Sequence, residues 1–233
     1  MGEPTRAEYH AELRAIEERA LEGLDLAVHA IDRALEAVRS QDAGLAREVV
    51  EGDDELDARY LEAHERLLTL IAREAPVAGD LRLISALLHV IKSMERMGDQ
   101  CVNVAKMIPI AGSEPPADER LLQNVGAMGL QVRSQMDQAK RAFAGRDLDL
   151  ARDLVRQDDI VDALNRECFR IAVEIGDEPD RREWATAMIL VARALERIGD
   201  NAVDVGEQAA YVVTGQFREF DDASHPGAPG AAG

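Results

Sequence analysis

The segment Glu95-Arg-Met-Gly-Asp99 recurs in the second half of the chain as Glu196-Arg-Ile-Gly-Asp200, displaced from position 95 to position 196. A second match has nearly the same displacement, because Asp53-Asp-Glu-Leu-Asp57 is echoed by Asp158-Asp-Ile-Val-Asp162. Two matches at similar spacing and in the same order indicate an internal duplication, in which each copy is one supersecondary unit. The sequence therefore predicts two similar units within one chain.

Around these segments, apolar residues recur at steps of three and four, which is the period of an amphipathic helix. The first such run contains Leu13, Ile16, Ala20, Leu24, Ala27, Ile31, Leu35 and Val38. Further patterns, separated by breaks that contain glycine or proline, predict helices at about 45–73, 81–110, 118–144, 147–176 and 182–214. The predicted fold is all-α, with six helices forming two tandem three-helix bundles.

Composition breaks suggest the domain boundaries. Gly112, Pro115 and Pro116 indicate a linker, so we expect a first bundle over residues 1–113 and a second over 114–216. Residues 217–233 end in Ser, His, Pro, Gly and Ala. Such a composition buries too little apolar surface to offset the entropy of ordering, and it predicts a disordered tail.

The charge balance narrows the range of partners. Lys and Arg total 27 against 45 Asp and Glu, which gives a formal net charge of −18. Phosphate backbones and anionic lipids repel such a chain, so we expect no nucleic acid partner and contact with a membrane only through other proteins. Two distant cysteines, no apolar signal core and no membrane-spanning run predict a cytoplasmic protein.

The third predicted helix indicates where the repeated acids point. Its apolar stripe runs through Ile84, Leu88 and Ile91, and the same steps lead on to Glu95 and Asp99. The second helix and the second half of the chain repeat this relation. We therefore expect the acids to face inward, where neighbouring carboxylates repel one another and require protons, basic partners or cations.

The acids of each hairpin are also equally far from its bend. Asp53 and Asp99 are symmetric about Pro76, which lies in the predicted turn. Asp57 and Glu95 are symmetric about the same residue. The second hairpin repeats the arrangement about Pro179, with Asp158 opposite Asp200 and Asp162 opposite Glu196. Because facing residues of antiparallel helices have nearly constant number sums, each hairpin is predicted to assemble four acids.

Carboxylate oxygens favour hard cations such as iron(III), manganese, magnesium or calcium, whereas zinc and copper sites normally recruit imidazole or thiolate. No histidine recurs with the acids. His64 and His89 correspond to Phe169 and Leu190 in the other repeat. We interpret His64 as structural or solvent-facing and His89 as a core residue, and neither as a ligand. A solvated, acidic helix face is the alternative interpretation of any single acid pair.

Gly98 and Gly199 occupy the same register of the repeat. A glycine inside a helix costs about 1 kcal/mol relative to alanine, so its recurrence indicates close approach of another helix or of a metal cluster. Arg96 and Arg197, which also recur, either orient nearby carboxylates or supply surface charge. Asn103 and Asp204, one turn further on, are candidate outer ligands.

Three stretches together resemble the PhoU family: Pro76-Val-Ala-Gly-Asp-Leu-Arg82 leading into Glu95-Arg-Met-Gly-Asp99, the repeated Glu196-Arg-Ile-Gly-Asp200, and Tyr211-Val-Val-Thr-Gly215. The resemblance spans about residues 9–216. It implies a cytoplasmic regulator of phosphate uptake and phosphate homeostasis. The implied partners are the ATPase subunit of the phosphate ABC transporter, a sensor histidine kinase whose starvation signalling is restrained, and a second copy in a homodimer.

The resemblance also implies a metal cluster on each bundle, with iron, manganese or magnesium as the candidate ions. Carried over by motif, the ligands are Asp53, Asp57, Glu95 and Asp99 at one site and Asp158, Asp162, Glu196 and Asp200 at the other. One departure concerns the turn of the second hairpin, which reads Glu178-Pro-Asp-Arg-Arg-Glu-Trp184 and lacks the Pro-Val-Ala-x-Asp-Leu-Arg pattern. Any role of that turn at the second site is therefore in question.

Two other functions compete with a regulatory protein that performs no turnover. A carboxylate-bridged di-iron oxidase is the enzymatic alternative, but four-helix oxidases of that type use Glu-x-x-His elements, which this chain lacks. A purely structural helical dimer with solvated acids is the third possibility.

Overall fold

The computed structural model describes residues 6–111 and 118–220, and within these ranges every regular element is an α-helix. The helices are α1 Arg6–Ser40, α2 Ala43–Glu74, α3 Ala78–Ile110, α4 Glu119–Gly145, α5 Leu148–Ile175 and α6 Pro179–Thr214. The predicted all-α fold with six helices is confirmed. The predicted linker at 112–116 lies outside the described residues, so the bundle boundaries at 113 and 114 stay predictions.

Aspartates begin three of the helices. Asp42, Asp118 and Asp147 precede α2, α4 and α5, and each carboxylate accepts two backbone N–H groups of the first turn. These N–H groups have no partner within the helix, so the aspartates satisfy donors that would otherwise be unpaired. Pro179 is the first residue of α6, a position at which its missing N–H removes no helical hydrogen bond.

The two repeats share one hydrophobic core. Helices α1, α2 and α3 pack together, as do α4, α5 and α6, and the repeats meet where α3 packs on α6 and α1 on α4. Buried apolar residues from all six helices form a single cluster. Both hairpins that carry the repeated acids, α2–α3 and α5–α6, are therefore held in one assembly. None of the helices described is long and apolar enough to cross a lipid bilayer.

Ion pairs line the contact between α1 and α4. Three of them join the repeats at distances of 2.5 to 2.9 Å: Asp32 with Arg133, Asp25 with Lys140, and Glu17 with Arg146. Partly exposed pairs of this kind contribute modest free energy each. Their evenly spaced, antiparallel order nevertheless defines the register in which α1 lies against α4.

The chain turns back on itself after α6. Gly215 adopts a φ of 72°, in the left-handed region that glycine tolerates without a steric penalty. The ring of Phe217 then contacts His89 and Tyr211, and the Phe220 N–H donates to the Glu207 carboxylate at 2.6 Å. Packing thus extends four residues beyond 216, where we placed the start of a disordered tail. Residues 221–233 of that predicted tail lie outside the described part of the chain.

Candidate metal centres

The four acids of the first hairpin lie close enough for their charges to interact. Burial, followed by the charges of Asp57 and Asp99, raises the pKa of Asp53 to about 6, and Glu95 adds to the effect. The pKa of Asp99 is also raised, by burial and by the charges of Glu95 and Asp57. The structure therefore brings together the four acids that the mirrored spacing singles out.

The second hairpin gives an equivalent set. Burial raises the pKa of Asp200 to about 6, and the charges of Glu196 and Asp162 contribute. Burial also raises the pKa of Glu196, against the opposing influence of Arg193, with Asp162 and Asp158 as further repulsive neighbours. Both repeats thus concentrate four negative charges at one level of their hairpins.

The acids are less buried than the apolar stripe implies. Asp158 is 4% exposed and Asp53 is half-buried, but Asp57, Asp99 and Asp200 are exposed. The expectation that all eight acids face inward is wrong for these three. Helical spacing does not separate the exposed acids from the rest, because Asp162 stands as far beyond buried Leu154 as Asp57 does beyond buried Val49, yet Asp162 is only partly exposed. The packing of neighbouring helices therefore decides which acids reach the rim.

Exposure and a raised pKa coexist at Asp200 because of where its carboxyl group lies. Much of the residue's surface is accessible, yet the side chain lines a cavity between the repeats. Protein atoms on the walls of that cavity displace part of the water that would stabilise the charge.

Basic side chains partner some of the acids within their own helices. Lys92 Nζ lies 2.7 Å from both carboxylate oxygens of Glu95, and Arg193 forms the corresponding ion pair with Glu196. Lys92 and Arg193 are themselves equivalent, since each precedes its glutamate by three residues. Neither residue was among the predicted site residues, although extending the repeat by three positions toward the N-terminus reveals the correspondence. Part of the repulsion is therefore offset by cations of the chain itself.

The two recurrent glycines allow the two helices of each hairpin to approach each other closely. A Cβ at Gly98 would lie 2.9 Å from Asp53 Oδ1 and 2.7 Å from Leu56 Cδ1, and a Cβ at Gly199 would lie 3.0 Å from Asp158 Oδ1. These separations leave no room for a methyl group without movement of the neighbour. Close approach of the preceding helix, one of the two predicted reasons for these glycines, is confirmed.

The two centres differ in how their inner aspartate is held. Gln135 of α4 donates its amide to Asp158 at 3.2 Å, so the second centre is tied to the core of its bundle. Asp53 instead lines a cavity of about 340 Å³ between α1 and α2, together with His29 and the buried Cys101. Burial raises the pKa of the Cys101 thiol, which keeps it neutral beside the acids.

A larger cavity, of about 640 Å³, lies along the contact between α3 and α6. We call it the seam cavity. Its walls carry cationic and imidazole side chains from the first repeat and acids from the second, among them His64, His89, Arg96, Asp158, Asp200 and Asp204. Both histidines therefore lie at this cavity. The interpretation of His89 as a core residue is wrong, because the residue is exposed, as is its counterpart Leu190 at 52%.

The carboxylate groups of the repeated acids do not meet at a common point. Across residues 6–111 and 118–220, no three His, Cys, Asp or Glu side chains are already placed to hold one metal ion. Their donor chemistry nevertheless suits hard cations, since every repeated side chain offers carboxylate oxygens and none offers sulfur or imidazole.

Comparison with known proteins now bears on these two centres. The PhoU domain matches residues 21–108 and again 125–209, so one match falls on each repeat. The chain belongs to the PhoU family. Both acid-bearing hairpins, α2–α3 and α5–α6, lie almost entirely within the matched ranges.

Several members of the family are similar over nearly their whole length. The phosphate-specific transport system accessory protein PhoU homolog of Clostridium acetobutylicum is 30% identical over 220 residues, covering 94% of this chain and 100% of that protein. Homolog 1 of Thermotoga maritima is 32% identical over 225 residues, covering 96% and 97%. The crystal structure of PhoU from Pseudomonas aeruginosa superposes with a TM-score of 0.83 at 30% identity, covering 89% and 100%. The family fold therefore extends over both repeats.

The raised pKa values predict that the metal-free protein loses stability as pH rises. Asp53 and Asp200 have pKa values of about 6 in the folded chain, against an ordinary value of 3.8. Below pH 3.8 both aspartates are protonated in the folded and in the unfolded chain. Between pH 3.8 and pH 6 they ionise in the unfolded chain but not yet in the folded chain, so folding is progressively disfavoured. Above pH 6 the loss of stability is complete. Urea unfolding across this range should show the decline, and Asp53→Asn and Asp200→Asn should each reduce it.

Asp159→Asn is the matched control for this series, because Asp159 is an exposed acid of α5 next to the cluster in sequence. We expect it to leave the pH dependence as in the parent protein. If Asp53→Asn and Asp200→Asn behave like this control, the two pKa values are not raised.

The close approach at Gly98 predicts a second measurable effect. Gly126→Ala, in α4, meets no atom within 4 Å and should stabilise the protein by about 1 kcal/mol through helix propensity alone. Gly98→Ala should lack this gain, because the new methyl group must displace Asp53 and Leu56. Thermal and urea unfolding of the two variants measure the difference, and equal stabilisation would contradict the packing described.

Proposed function

We propose that this PhoU-family protein regulates phosphate uptake as a metal-binding accessory protein of the phosphate ABC transporter and restrains phosphate-starvation two-component signalling. Its partners on this proposal are the ATPase subunit of the transporter and the sensor histidine kinase. Family members with similarity along their whole length are named as phosphate-specific transport system accessory proteins, which supports the transport part. The observation that carries the metal part is the duplicated set of four interacting acids.

The metal ions would be held by the eight repeated carboxylates, four on each hairpin. Hard cations such as iron, manganese or magnesium would supply the positive charge that the interacting acids lack. Glu95 and Glu196 would exchange their ion pairs with Lys92 and Arg193 for the metal. Because those cations are only one helical turn away and partly exposed, this exchange requires side-chain rotation rather than a change of fold.

A binding role without turnover fits the site better than oxidase chemistry. The helices that carry the acids have no Glu-x-x-His element, and the two nearby histidines, His64 and His89, line the seam cavity. A purely structural dimer would not explain why eight acids recur at equal distances from two bends. We therefore place the chain among regulatory proteins, acting in the cytoplasm as a homodimer.

The metal assignment predicts that each centre can be disabled separately. Asp99→Asn should reduce bound metal at the first bundle and Asp200→Asn at the second, because each substitution removes one charged oxygen ligand. Helicity should be retained, since both side chains lie exposed at the rim. Metal analysis after loading with manganese or iron measures the change, with Asp159→Asn as the control. Unchanged stoichiometry in both variants would refute the ligand set.

The regulatory assignment predicts partners that depend on phosphate supply. Tagged protein recovered from cells grown with ample phosphate should bring with it the transporter ATPase or the histidine kinase, and cells starved of phosphate should give a different ratio. The double variant Asp99→Asn/Asp200→Asn serves to separate metal binding from partner binding. Recovery of neither partner in either condition would contradict the proposal.

A further inference from the structure

The segment that follows α6 lies across the seam cavity. Phe217, Glu219 and Phe220 all belong to its lining. The reversal at Gly215 carries the chain back along α6, so that Phe220 reaches Glu207, almost two helical turns before the helix ends. The C-terminal segment thus covers a part of the molecule that belongs to both repeats.

Beneath this segment lie acids of the second centre. Asp158 and Asp200 line the seam cavity, and so does Asp204, one turn beyond Asp200 on α6. Arg96 and His89 of α3 lie close enough to Asp204 to oppose the effect of burial on its pKa. Asp158 is almost fully buried, so a solute that reaches this carboxylate from the seam must pass through the cavity.

The attachment of the segment is weak. A backbone hydrogen bond from the Phe220 N–H to Glu207 anchors its far end, where the partly buried Phe220 ring also packs against the core, and two ring contacts of Phe217 hold its near end. Phe217 remains 58% exposed, so its burial contributes little. Segments with few buried contacts open at low free-energy cost while the rest of the protein stays folded.

The first centre is built differently. Its inner aspartate, Asp53, lines the cavity between α1 and α2, whose walls come from α1, α2 and α3. Among the described residues, none that follows Thr214 lines that cavity. Asp53 and Asp158 therefore face different cavities, and of these two only the seam cavity is lined by described residues beyond α6.

We propose that residues 217–220 form a strap that covers the seam cavity and limits access of small solutes, cations included, to the two less exposed acids of that cavity, Asp158 and Asp204. In the closed position the strap adds Glu219 to the cavity and places two phenylalanine rings at its mouth. Opening requires loss of the Phe220 hydrogen bond, of the packing of the Phe220 ring against the core and of the Phe217 ring contacts. The part that concerns metal ions rests on the proposed function, whereas closure of the cavity does not.

Carboxylate labelling tests the strap without any metal. Full-length protein carrying Phe217→Ala and Phe220→Ala is treated with a water-soluble carbodiimide and an amine, and labelling of Asp158 and Asp204 is measured by mass spectrometry. We expect the labelling rate of both to rise about threefold or more, since the weak closed state is removed. Circular dichroism verifies that helicity is retained.

Phe169→Ala is the matched control, because Phe169 is also 58% exposed but lies on α5 and does not line the seam cavity. It removes an equally exposed ring and should leave the labelling of Asp158 and Asp204 unchanged. Glu207→Gln, which weakens the anchor of Phe220 but keeps both rings, should give a smaller rise in Asp204 labelling than the double variant. Equal labelling in the double variant and in Phe169→Ala would overturn the strap.

A second experiment measures the association rate of manganese(II) in protein that carries Asp99→Asn, so that binding at the second centre dominates the signal. A faster association rate in the double phenylalanine variant supports gating of that centre, and an unchanged rate despite faster labelling overturns it. If the parent protein binds no manganese at all, the proposed metal function fails, and the strap is still decided by the labelling rates.

Discussion

Repulsion between carboxylates held at one level of a helical hairpin is the constraint around which this molecule is built. Each hairpin brings four acids together, and burial adds to their mutual repulsion, which raises the pKa of Asp53 and Asp200 to about 6. Such an arrangement opposes folding at neutral pH. The hydrophobic core shared by six helices supplies stability that compensates for this repulsion, and Lys92 and Arg193 reduce the repulsion locally.

Duplication places this constraint twice in one chain, but the copies are not equivalent. Asp158 accepts a hydrogen bond from Gln135, whereas Asp53 faces an open cavity. Asn103 occupies the position that Asp204 holds in the second repeat, so only the second repeat extends its acids toward the seam. Because α3 packs on α6, Arg96 of the first repeat lies beside Asp204 of the second. The second centre is therefore partly built by both repeats.

The seam between the repeats gives the molecule a feature that neither bundle has alone. The cavity there joins cationic side chains of one repeat to acids of the other, and the segment after α6 lies over it. Because α3 carries acids of the first centre and α6 carries acids of the second, a partner that binds along this seam would contact residues next to both centres. The duplicated architecture thus connects two chemically similar centres through one shared surface.

The six helices, the duplication and the grouping of acids were predictable from the order of residues, because helical period and distance from a bend are local quantities. Mirrored positions about Pro76 and Pro179 were enough to place Asp53 near Asp99 and Asp158 near Asp200. Tertiary structure alone decided which acids reach the rim, that His89 lies at the seam, and that Phe217 packs back on the fold. A repeat pattern fixes a side chain's direction from its own axis, but its neighbours depend on how distant helices dock.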